Sequence, residues 1–489
     1  MVAIRESRSE AIRRRLGHPV IDVDGHVQEV IPVLVDFVRE VGGHEMADRF
    51  WADFPRNPVS GPKAPWYSMS PEERSLRREL PPGFWTKPTR NTLDRATAHL
   101  PRLLYQRLDE MGIDFMVLYP TSGLRFPATR DSETRQALCR AYNTYQAAMF
   151  REFSDRLAPV AVIPMRTPEE AVRELEHAVR VLGLKAAMIP GYVLRRTQNP
   201  KGGFGERWMD SYGIDSPYNY DPVWAKCVEL GIPPASHGST NGWGSRKSIS
   251  SFTYNGIGNF GSMGEAICKS LFMGGVTRRF PTLNVGFMEG GVAWAAELYA
   301  QLVFRWRKRN PKALLEHLDP DLLDLESLMG YFDQYGGDSM RRLRDEIRYL
   351  FALKEPRMEN IDDWAACKIE REEDLRDLFE PHFYFGCEGE DPLVGLAFNS
   401  KANPLGARLR PVFGSDIGHW DVTEMSDVVE EAYEGVEHGL MTEEDFRDFV
   451  FTNPVRMYGT MNPNIFKGTV VEAQAAKALA ERTQPLVKA

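Results

Sequence analysis

The 489-residue sequence lacks several features that would assign it to a specialised class of protein. It has five cysteines, an odd number, and none is spaced as Cys-x-x-Cys, which argues against a disulfide framework and against a thiolate zinc site. No run of about 18 apolar residues occurs, and the charged N-terminus lacks the apolar core of a signal peptide. We therefore expect a soluble cytoplasmic protein without a membrane partner.

The sequence also lacks the positive charge that a nucleic-acid partner requires. Sixty Lys and Arg residues stand against 69 Asp and Glu, the net charge is −9, and no sustained basic run appears. The hydrophobic fraction of 43% and the aromatic fraction of 11% are typical of a globular chain with a large core, and they exclude disorder for most of its length. We therefore expect no nucleic-acid partner.

Short apolar runs alternate with amphipathic helical patterns, which is typical of repeated βα units. One helix is predicted from Thr167, Pro168 and Glu170, which form a capping box with proline at the first helical position. A second is predicted to begin at Asp221 and to end at Gly231. Eight strands are predicted, at Val20–Asp24, Phe115–Tyr119, Pro159–Ile163, Ala186–Ile189, Ile232–His237, Leu283–Glu289, Phe383–Phe385 and Pro411–Asp416. Eight strands in this α/β pattern predict a closed (β/α)8 TIM barrel.

The chain is much longer than the roughly 250 residues that a barrel needs. We predict a single domain over 1–489, with a barrel core at about 18–460 and a C-terminal tail at about 464–489. Four insertions are predicted, at about 40–98, 192–220, 238–262 and 305–380. The first three follow strands one, four and five, so we expect them over the C-terminal mouth of the barrel, as lids or as contacts in a homo- or hetero-oligomer.

The most informative segment is IDVDGHVQE, in which Asp22, Asp24 and His26 follow one another at a period of two. On a barrel strand this period predicts that the three side chains share the inward face, about 7 Å apart per repeat. A carboxylate and an imidazole at the mouth can bind one cation. The alternative is that Asp22 only bonds to nearby backbone and that His26 is an ordinary polar residue at a strand end.

Further polar residues stand at the ends of later strands. His237 ends the fifth strand, Glu289 ends the sixth, and Asp416 ends the eighth, just before a loop that carries His419. Strand ends converge at the mouth of a barrel, so these side chains and the Asp24–His26 pair predict a mixed nitrogen and oxygen ligand set. Such a set suits Zn²⁺, Mn²⁺ or Fe²⁺.

Several longer motifs accompany these residues, among them LDEMGIDFMVLYP, PMRTPEEA, LGLKAAMIP, GGVTRRFPTLNVGFMEGG, FGSDIGHWD and TNPVRMYG. With IDVDGH and ELGIPPASH, they resemble the amidohydrolase superfamily over residues 18 to 460. The resemblance is to the branch of carboxymuconate-semialdehyde decarboxylase-like, metal-dependent hydrolases and decarboxylases.

The resemblance implies that Asp24, His26, His237 and Asp416 are the metal ligands, with Asp24 where many relatives have a histidine. Decarboxylating relatives usually have a histidine where this sequence has Glu289, which favours a hydrolase here. The resemblance to dinuclear members implies that Glu289 is a general acid/base or a bridging ligand. It implies for His419 a second-metal ligand or a proton shuttle.

The sequence analysis therefore predicts a metal-dependent hydrolase that acts on a small organic substrate through a metal-activated water. Asp416 or Glu289 would move the proton. Zinc is the expected ion, with manganese, iron or a dinuclear centre as alternatives. Three other functions stay open: a non-oxidative decarboxylase, an oxygen-using dinuclear enzyme similar to alkylamine hydroxylases, and a barrel subunit that supports a catalytic partner.

Overall fold

A computed structural model of the chain describes residues 7–57, 61–83, 85–197, 207–241, 243–356 and 359–481. Short parts of the four predicted insertions lie outside the described residues, at 58–60, 84, 198–206, 242 and 357–358. The end of the predicted tail, 482–489, also lies outside them.

The centre of the fold is an eight-stranded parallel sheet in the order β1-β2-β3-β4-β7-β8-β9-β10. Its strands are β1 Ile21–Val27, β2 Phe115–Pro120, β3 Leu157–Val162, β4 Ala186–Ile189, β7 Pro234–Ser236, β8 Val285–Phe287, β9 Phe383–Glu388 and β10 Arg410–Gly414. The other two strands, β5 Val193–Arg196 and β6 Arg207–Asp210, pair as an antiparallel hairpin inside the second predicted insertion.

The sheet closes on itself through backbone bonds between β1 and the residues that follow β10. The N–H of Asp416 donates to the carbonyl of Asp24 at 3.0 Å, and the N–H of His26 donates to the carbonyl of Ile417 at 3.0 Å. These bonds confirm the predicted (β/α)8 barrel.

Each helix up to the fifth barrel strand begins either at a side-chain cap or with a proline in its first turn. The capping box of Thr167 and Glu170 is present, and Gly231 ends its helix in the left-handed conformation, at φ 63°. These helices are α1 Arg8–Arg15, α2 Ile31–Asp53, α3 Pro71–Arg77, α4 Thr92–Thr97, α5 Pro101–Arg107, α6 Ser132–Phe150, α7 Pro168–Glu176 and α8 Asp221–Leu230.

The later helices include those of the charged segment around residues 305–380. They are α9 Phe252–Gly256, α10 Asn259–Met273, α11 Val276–Arg279, α12 Ala293–Arg309, α13 Pro311–His317, α14 Leu325–Tyr335, α15 Gly337–Arg342, α16 Arg344–Ala352, α17 Glu373–Phe379, α18 Gly395–Phe398, α19 Val428–Glu437, α20 Glu443–Arg447, α21 Asn453–Gly459 and α22 Glu472–Glu481. In the part of the chain that the structure describes, none of these helices or the earlier ones is long and apolar enough to cross a membrane.

One continuous hydrophobic core joins the barrel strands to the surrounding helices. It includes fully buried aromatic side chains such as Trp224, Tyr299 and Phe383. Several of the polar residues buried with them lie at the C-terminal ends of the strands, where Asp24, His26 and His237 are each no more than 3% exposed. Burial of charged or polar groups at this density needs a compensating partner.

Candidate metal centre

The first part of the centre is formed by β1. Nε2 of His26 lies 3.5 Å from Oδ1 of Asp24, and both side chains are buried. The other ring nitrogen of His26, Nδ1, lies 2.8 Å from the carbonyl oxygen of Pro120. Because a carbonyl only accepts, Nδ1 carries the proton and Nε2 presents its lone pair towards Asp24. Gly414 makes room for this arrangement, since a Cβ there would lie 2.7 Å from the Cβ of Asp24.

Asp22 does not join this pair. The pairing of β1 with β2 shifts register between Asp22 and Gly25, which interrupts the expected alternation. The Asp22 carboxylate instead accepts the N–H of Asp24 at 3.0 Å, the N–H of Ser415 at 3.1 Å and the hydroxyl of Ser415. Asp22 therefore connects β1 to the segment after β10 and stabilises the closed barrel. This is the alternative named above, in which Asp22 only bonds to nearby backbone.

His237 follows β7 directly and brings a second imidazole to the same place. Its Nε2 lies 3.2 Å from Nε2 of His26 and 3.7 Å from Oδ1 of Asp24. One oxygen of Asp24 and one nitrogen of each histidine lie within 4.8 Å of one another, which is a spacing that one ion can bridge. The lone pair of His26 and the oxygen of Asp24 both require a donor or a cation in this gap.

Asp416 approaches from the loop after β10. Its Oδ1 lies 3.5 Å from Nε2 of His26 and 2.6 Å from Nδ1 of His419. The other ring nitrogen of His419, Nε2, lies 3.1 Å from the hydroxyl of Thr121. Both nitrogens of His419 therefore have partners, and its clearest contact with the centre is through Asp416. Its proposed role as a metal ligand or proton shuttle stays a prediction.

Glu289 and Glu388 complete the centre on the opposite side of Asp416. Oε2 of Glu289 lies 3.2 Å from Nε2 of His237. Glu388 is the last residue of β9 and was not predicted as a site residue. One carboxylate oxygen each from Glu289, Glu388 and Asp416 lies within 4.8 Å of the others. The predicted strand ends at Phe385, whereas β9 continues to Glu388.

Two of these acids have an unusual backbone conformation. Glu289 has a φ of 59° and Asp416 a φ of 51°, in the left-handed region that residues with a side chain adopt rarely. Such a conformation costs about 1–3 kcal/mol and is concentrated at functional sites. The strain indicates that the positions of these two carboxylates are maintained by the surrounding structure.

Crowding and burial dominate the electrostatics of the acids. Burial raises the pKa of Asp24 to about 6 and that of Glu388 to about 8, with neighbouring acids adding to the effect on Glu388. Burial, followed by the charges of nearby carboxylates, raises the pKa of Glu289 and of Asp416 well above the usual range. Asp421, on the loop after β10, is one of those neighbours. A set of acids this close together needs protons or cations between them.

The histidines respond to burial in the opposite direction. Burial lowers the pKa of His26 to about 4, and burial lowers that of His237 to about 3 against the favourable charge of Asp24. Burial and the neighbouring His26 lower the pKa of His419 well below its usual value. All three imidazoles are thus neutral near pH 7, which is the form that binds a metal.

Several buried atoms of the centre lack a hydrogen-bond partner among the described residues. They are Oδ1 of Asp24, Nδ1 of His237, Oε2 of Glu289 and Oδ2 of Asp416. Buried polar atoms are nearly always satisfied, and a cluster of exceptions calls for a ligand, an ion or water. The structure brings all six predicted site residues together and adds Glu388, and their donor chemistry and orphaned oxygens fit a divalent cation.

Comparison with known proteins gives matches at the level of sequence. Residues 96–316 match the family model described as Amidohydrolase. A decarboxylase named orsB from Emericella nidulans is 28% identical over 190 residues, which cover 36% of this chain and 51% of that protein. A gamma-resorcylate decarboxylase from Polaromonas sp. strain JS666 is 34% identical over 88 residues, 17% of this chain and 26% of that protein. The matches thus span about half of the first relative's length and about a quarter of the second's.

Solved structures give matches at the level of the fold. An amidohydrolase from Mycobacterium avium subsp. paratuberculosis K-10 is 17% identical with a TM-score of 0.52, over 91% of this chain and 100% of that one. A dihydroxybenzoic acid decarboxylase from Polaromonas sp. JS666, solved with manganese and an inhibitor, is 17% identical with a TM-score of 0.46, over 90% and 97%. Residues 96–316 thus match the Amidohydrolase family model, and parts of the chain are similar to decarboxylases, in agreement with the superfamily and the branch that its motifs resemble.

Proposed function

We propose that the protein is a metal-dependent, non-oxidative decarboxylase that acts on a small organic acid. The observation that carries this proposal is that both curated relatives which match the chain are named decarboxylases. The hydrolase favoured by the sequence analysis rested on Glu289 standing where decarboxylating relatives have a histidine. A buried carboxyl group at this position can also serve decarboxylation, because the reaction needs a proton donor as well as a metal.

Asp24, His26 and His237 would hold the ion, with Asp416 as a further ligand. These residues fit a metal ion because their donor atoms converge and because Oδ1 of Asp24 has no hydrogen-bond partner among the described residues. The set contains as many carboxylates as imidazoles, so Mn²⁺ and Fe²⁺ suit it at least as well as the Zn²⁺ expected from the sequence. The ion would supply Lewis-acid polarisation to the substrate's oxygen atoms.

Decarboxylation breaks the bond between the carboxylate carbon and its neighbour, and the electron pair stays on the neighbouring carbon. That carbon must then take up one proton as CO₂ leaves. Glu289 lies 3.2 Å from His237, at the edge of the three-residue donor group, and is the chain's best-placed proton donor. Its backbone strain and burial keep the carboxyl group at a defined position.

A carboxylate substrate also needs cationic groups near a mouth that is rich in acids. Lys87 and Arg95 would supply them, and both come from the first predicted insertion. Burial, the neighbouring His26 and the charge of Lys87 lower the pKa of His419, so Lys87 lies near the centre. Arg95 lies on α4, and its buried Nη1 has no hydrogen-bond partner among the described residues. The carbonyl of Ala98, the residue after α4, accepts the N–H of Gln28 at 2.8 Å, which fixes this helix against the end of β1. An unpaired guanidinium in this place suits recognition of an anion.

The test is to incubate the Mn²⁺-loaded protein with a panel of carboxylic acids that includes resorcylates labelled with ¹³C in the carboxyl group. We expect labelled CO₂, and in D₂O one deuterium at the vacated carbon of the product. Glu289→Gln should keep the metal held by Asp24, His26 and His237 and lose turnover. Hydrolysis of esters or amides without release of CO₂ from any acid would instead support the hydrolase.

A further inference from the structure

We propose that a helical hairpin in the fourth predicted insertion binds the same hairpin of a second copy of this chain, so that the two pack as a four-helix bundle. The hairpin consists of α14 Leu325–Tyr335, α15 Gly337–Arg342 and α16 Arg344–Ala352. It lies beyond residues 96–316, the part of the chain that matches the family model. Its role is therefore argued from its own residues.

The two longer helices of the hairpin, α14 and α16, run antiparallel and are joined by ion pairs along one side. Asp333 pairs with Arg344 at 2.8 Å, and Glu326, one helical turn pair earlier on α14, pairs with Arg348. Both acids lie on one side of α14, and both arginines lie on one side of α16. These pairs define a polar side of the hairpin.

The hairpin buries very little of its own surface. Among the described residues of its three helices, Met329 is the only buried side chain. The helices have 11, 6 and 9 residues, and helices shorter than about 12–15 residues are marginal in water unless an apolar face packs against something else. A segment with one buried side chain lacks that packing, so the structure implies a partner surface.

The side of the hairpin opposite the ion pairs is apolar. At about 100° per residue, the exposed apolar positions of both helices lie on the far side from the paired acids and arginines. We call this set the apolar face; its members are Leu328, Tyr331 and Tyr335 on α14, and Leu343, Leu350 and Leu353 on or directly beside α16. Because α14 and α16 are antiparallel, the two stripes lie on the same side of the hairpin and form one continuous face.

The apolar face is large enough for a stable contact. Tyr331 is 63% exposed and Tyr335 is 74% exposed, and a tyrosine buries about 150–250 Å² in full, so these two offer about 270 Å². The three leucines beside α16 are 40–62% exposed and add a similar area. About 40% of an interface is polar, so the face with its rim approaches the roughly 800 Å² that each partner buries in a standard interface.

The charges favour a second copy of the chain as the partner. Residues 325–352 contain four arginines and five acids, and the two ion pairs already neutralise two of each. A face with almost no net charge does not repel its own copy, whereas binding to an anionic membrane surface depends on an excess of basic residues. Two helices from each of two copies, related by a two-fold axis, form a four-helix bundle in which each apolar face covers the other.

The test is to measure the mass of the full chain by sedimentation velocity at micromolar concentration, for the wild type and for two matched variants. Leu350→Glu places a charge on the apolar face, and Leu76→Glu places the same charge on an 85% exposed leucine of α3, in the first predicted insertion. We expect Leu350→Glu to halve the measured mass and to weaken association by roughly a hundredfold or more, because two-fold symmetry buries the new charge twice. We expect Leu76→Glu to leave the mass unchanged.

Hydrogen exchange provides a second readout in the same samples. The amides of residues 325–352 should exchange at least tenfold faster in Leu350→Glu than in the wild type, while those of the barrel strands keep their rates. Both leucines are exposed in the single chain, so neither substitution should unfold it, which circular dichroism checks. A wild type that is monomeric, whether free or bound to lipid vesicles, would overturn the proposal. An assembly that survives in Leu350→Glu with unchanged affinity, or that dissociates in Leu76→Glu, would assign the contact to another surface and overturn it as well.

Discussion

Removal of the Asp22 side chain tests the closure of the barrel beneath the metal centre. Asp22→Ala would leave the N–H groups of Asp24 and Ser415 without acceptors in a fully buried place. Each orphaned buried donor costs about 1–3 kcal/mol, and water entering the new space would recover part of this. We expect the free energy of unfolding to fall by about 3–5 kcal/mol.

The matched variant Asp22→Asn separates hydrogen bonding from charge. Its amide oxygen can still accept the two N–H groups, and its NH₂ can donate to the hydroxyl of Ser415. We therefore expect a loss below about 1.5 kcal/mol, the net value of one hydrogen bond. Urea unfolding followed by circular dichroism measures both variants. A fall in the free energy of unfolding below about 0.5 kcal/mol for Asp22→Ala would refute the reasoning, because an ordinary surface substitution has an effect of that size. Equal falls for the two variants would refute it as well.

Three further predictions concern the metal and two buried acids away from it. Chelation with EDTA should lower the melting temperature, because an ion present at 1,000 times its Kd stabilises the fold by about 4 kcal/mol; an unchanged melting curve would contradict a bound metal. Burial raises the pKa of Glu174 in the folded state, although the carboxylate accepts a 2.8 Å hydrogen bond from Asn143. The free energy of unfolding therefore declines as the pH rises above the usual pKa of glutamate. Glu174→Gln should flatten that decline, which urea titrations at several pH values measure. Glu170→Ala should lower the free energy of unfolding by about 3–5 kcal/mol in urea, because it leaves the buried Arg135 without a counter-charge, whereas removal of the more exposed Glu430 from its ion pair should change little.

The barrel could be predicted from the sequence because its signals are local. Apolar runs bounded by glycine and proline marked all eight strands, and Ala186–Ile189 has the predicted bounds. Errors occur at the strand ends, where the predicted Ile232–His237 shortens to Pro234–Ser236. The residue at which a strand ends depends on its hydrogen bonds to neighbouring strands, and the sequence of one segment does not show these bonds.

The candidate site could be predicted where a polar residue directly ended an apolar run, as at His237 and Asp416. Glu388 was not predicted, because the predicted strand stops at Phe385, directly before Gly386. In the fold, Gly386 continues β9, since a Cβ there would lie 2.9 Å from Cα of Met288 and 3.1 Å from the nitrogen of Glu289. The glycine therefore reflects the close approach of β8, and this cause lies about a hundred residues away in the sequence.

The conformation of the two strained acids shows why the ion count could not be predicted either. Glycine adopts a positive φ without cost, so the turns at Glu289 and Asp416 would be more favourable for the fold with glycine in either place. Each acid instead turns its own backbone to bring an oxygen within 4.8 Å of Glu388. Whether those oxygens surround one ion or two depends on distances of this size between segments that are remote in sequence. The motifs therefore identify the donors, and only the folded arrangement shows which of their ligand atoms lie close together.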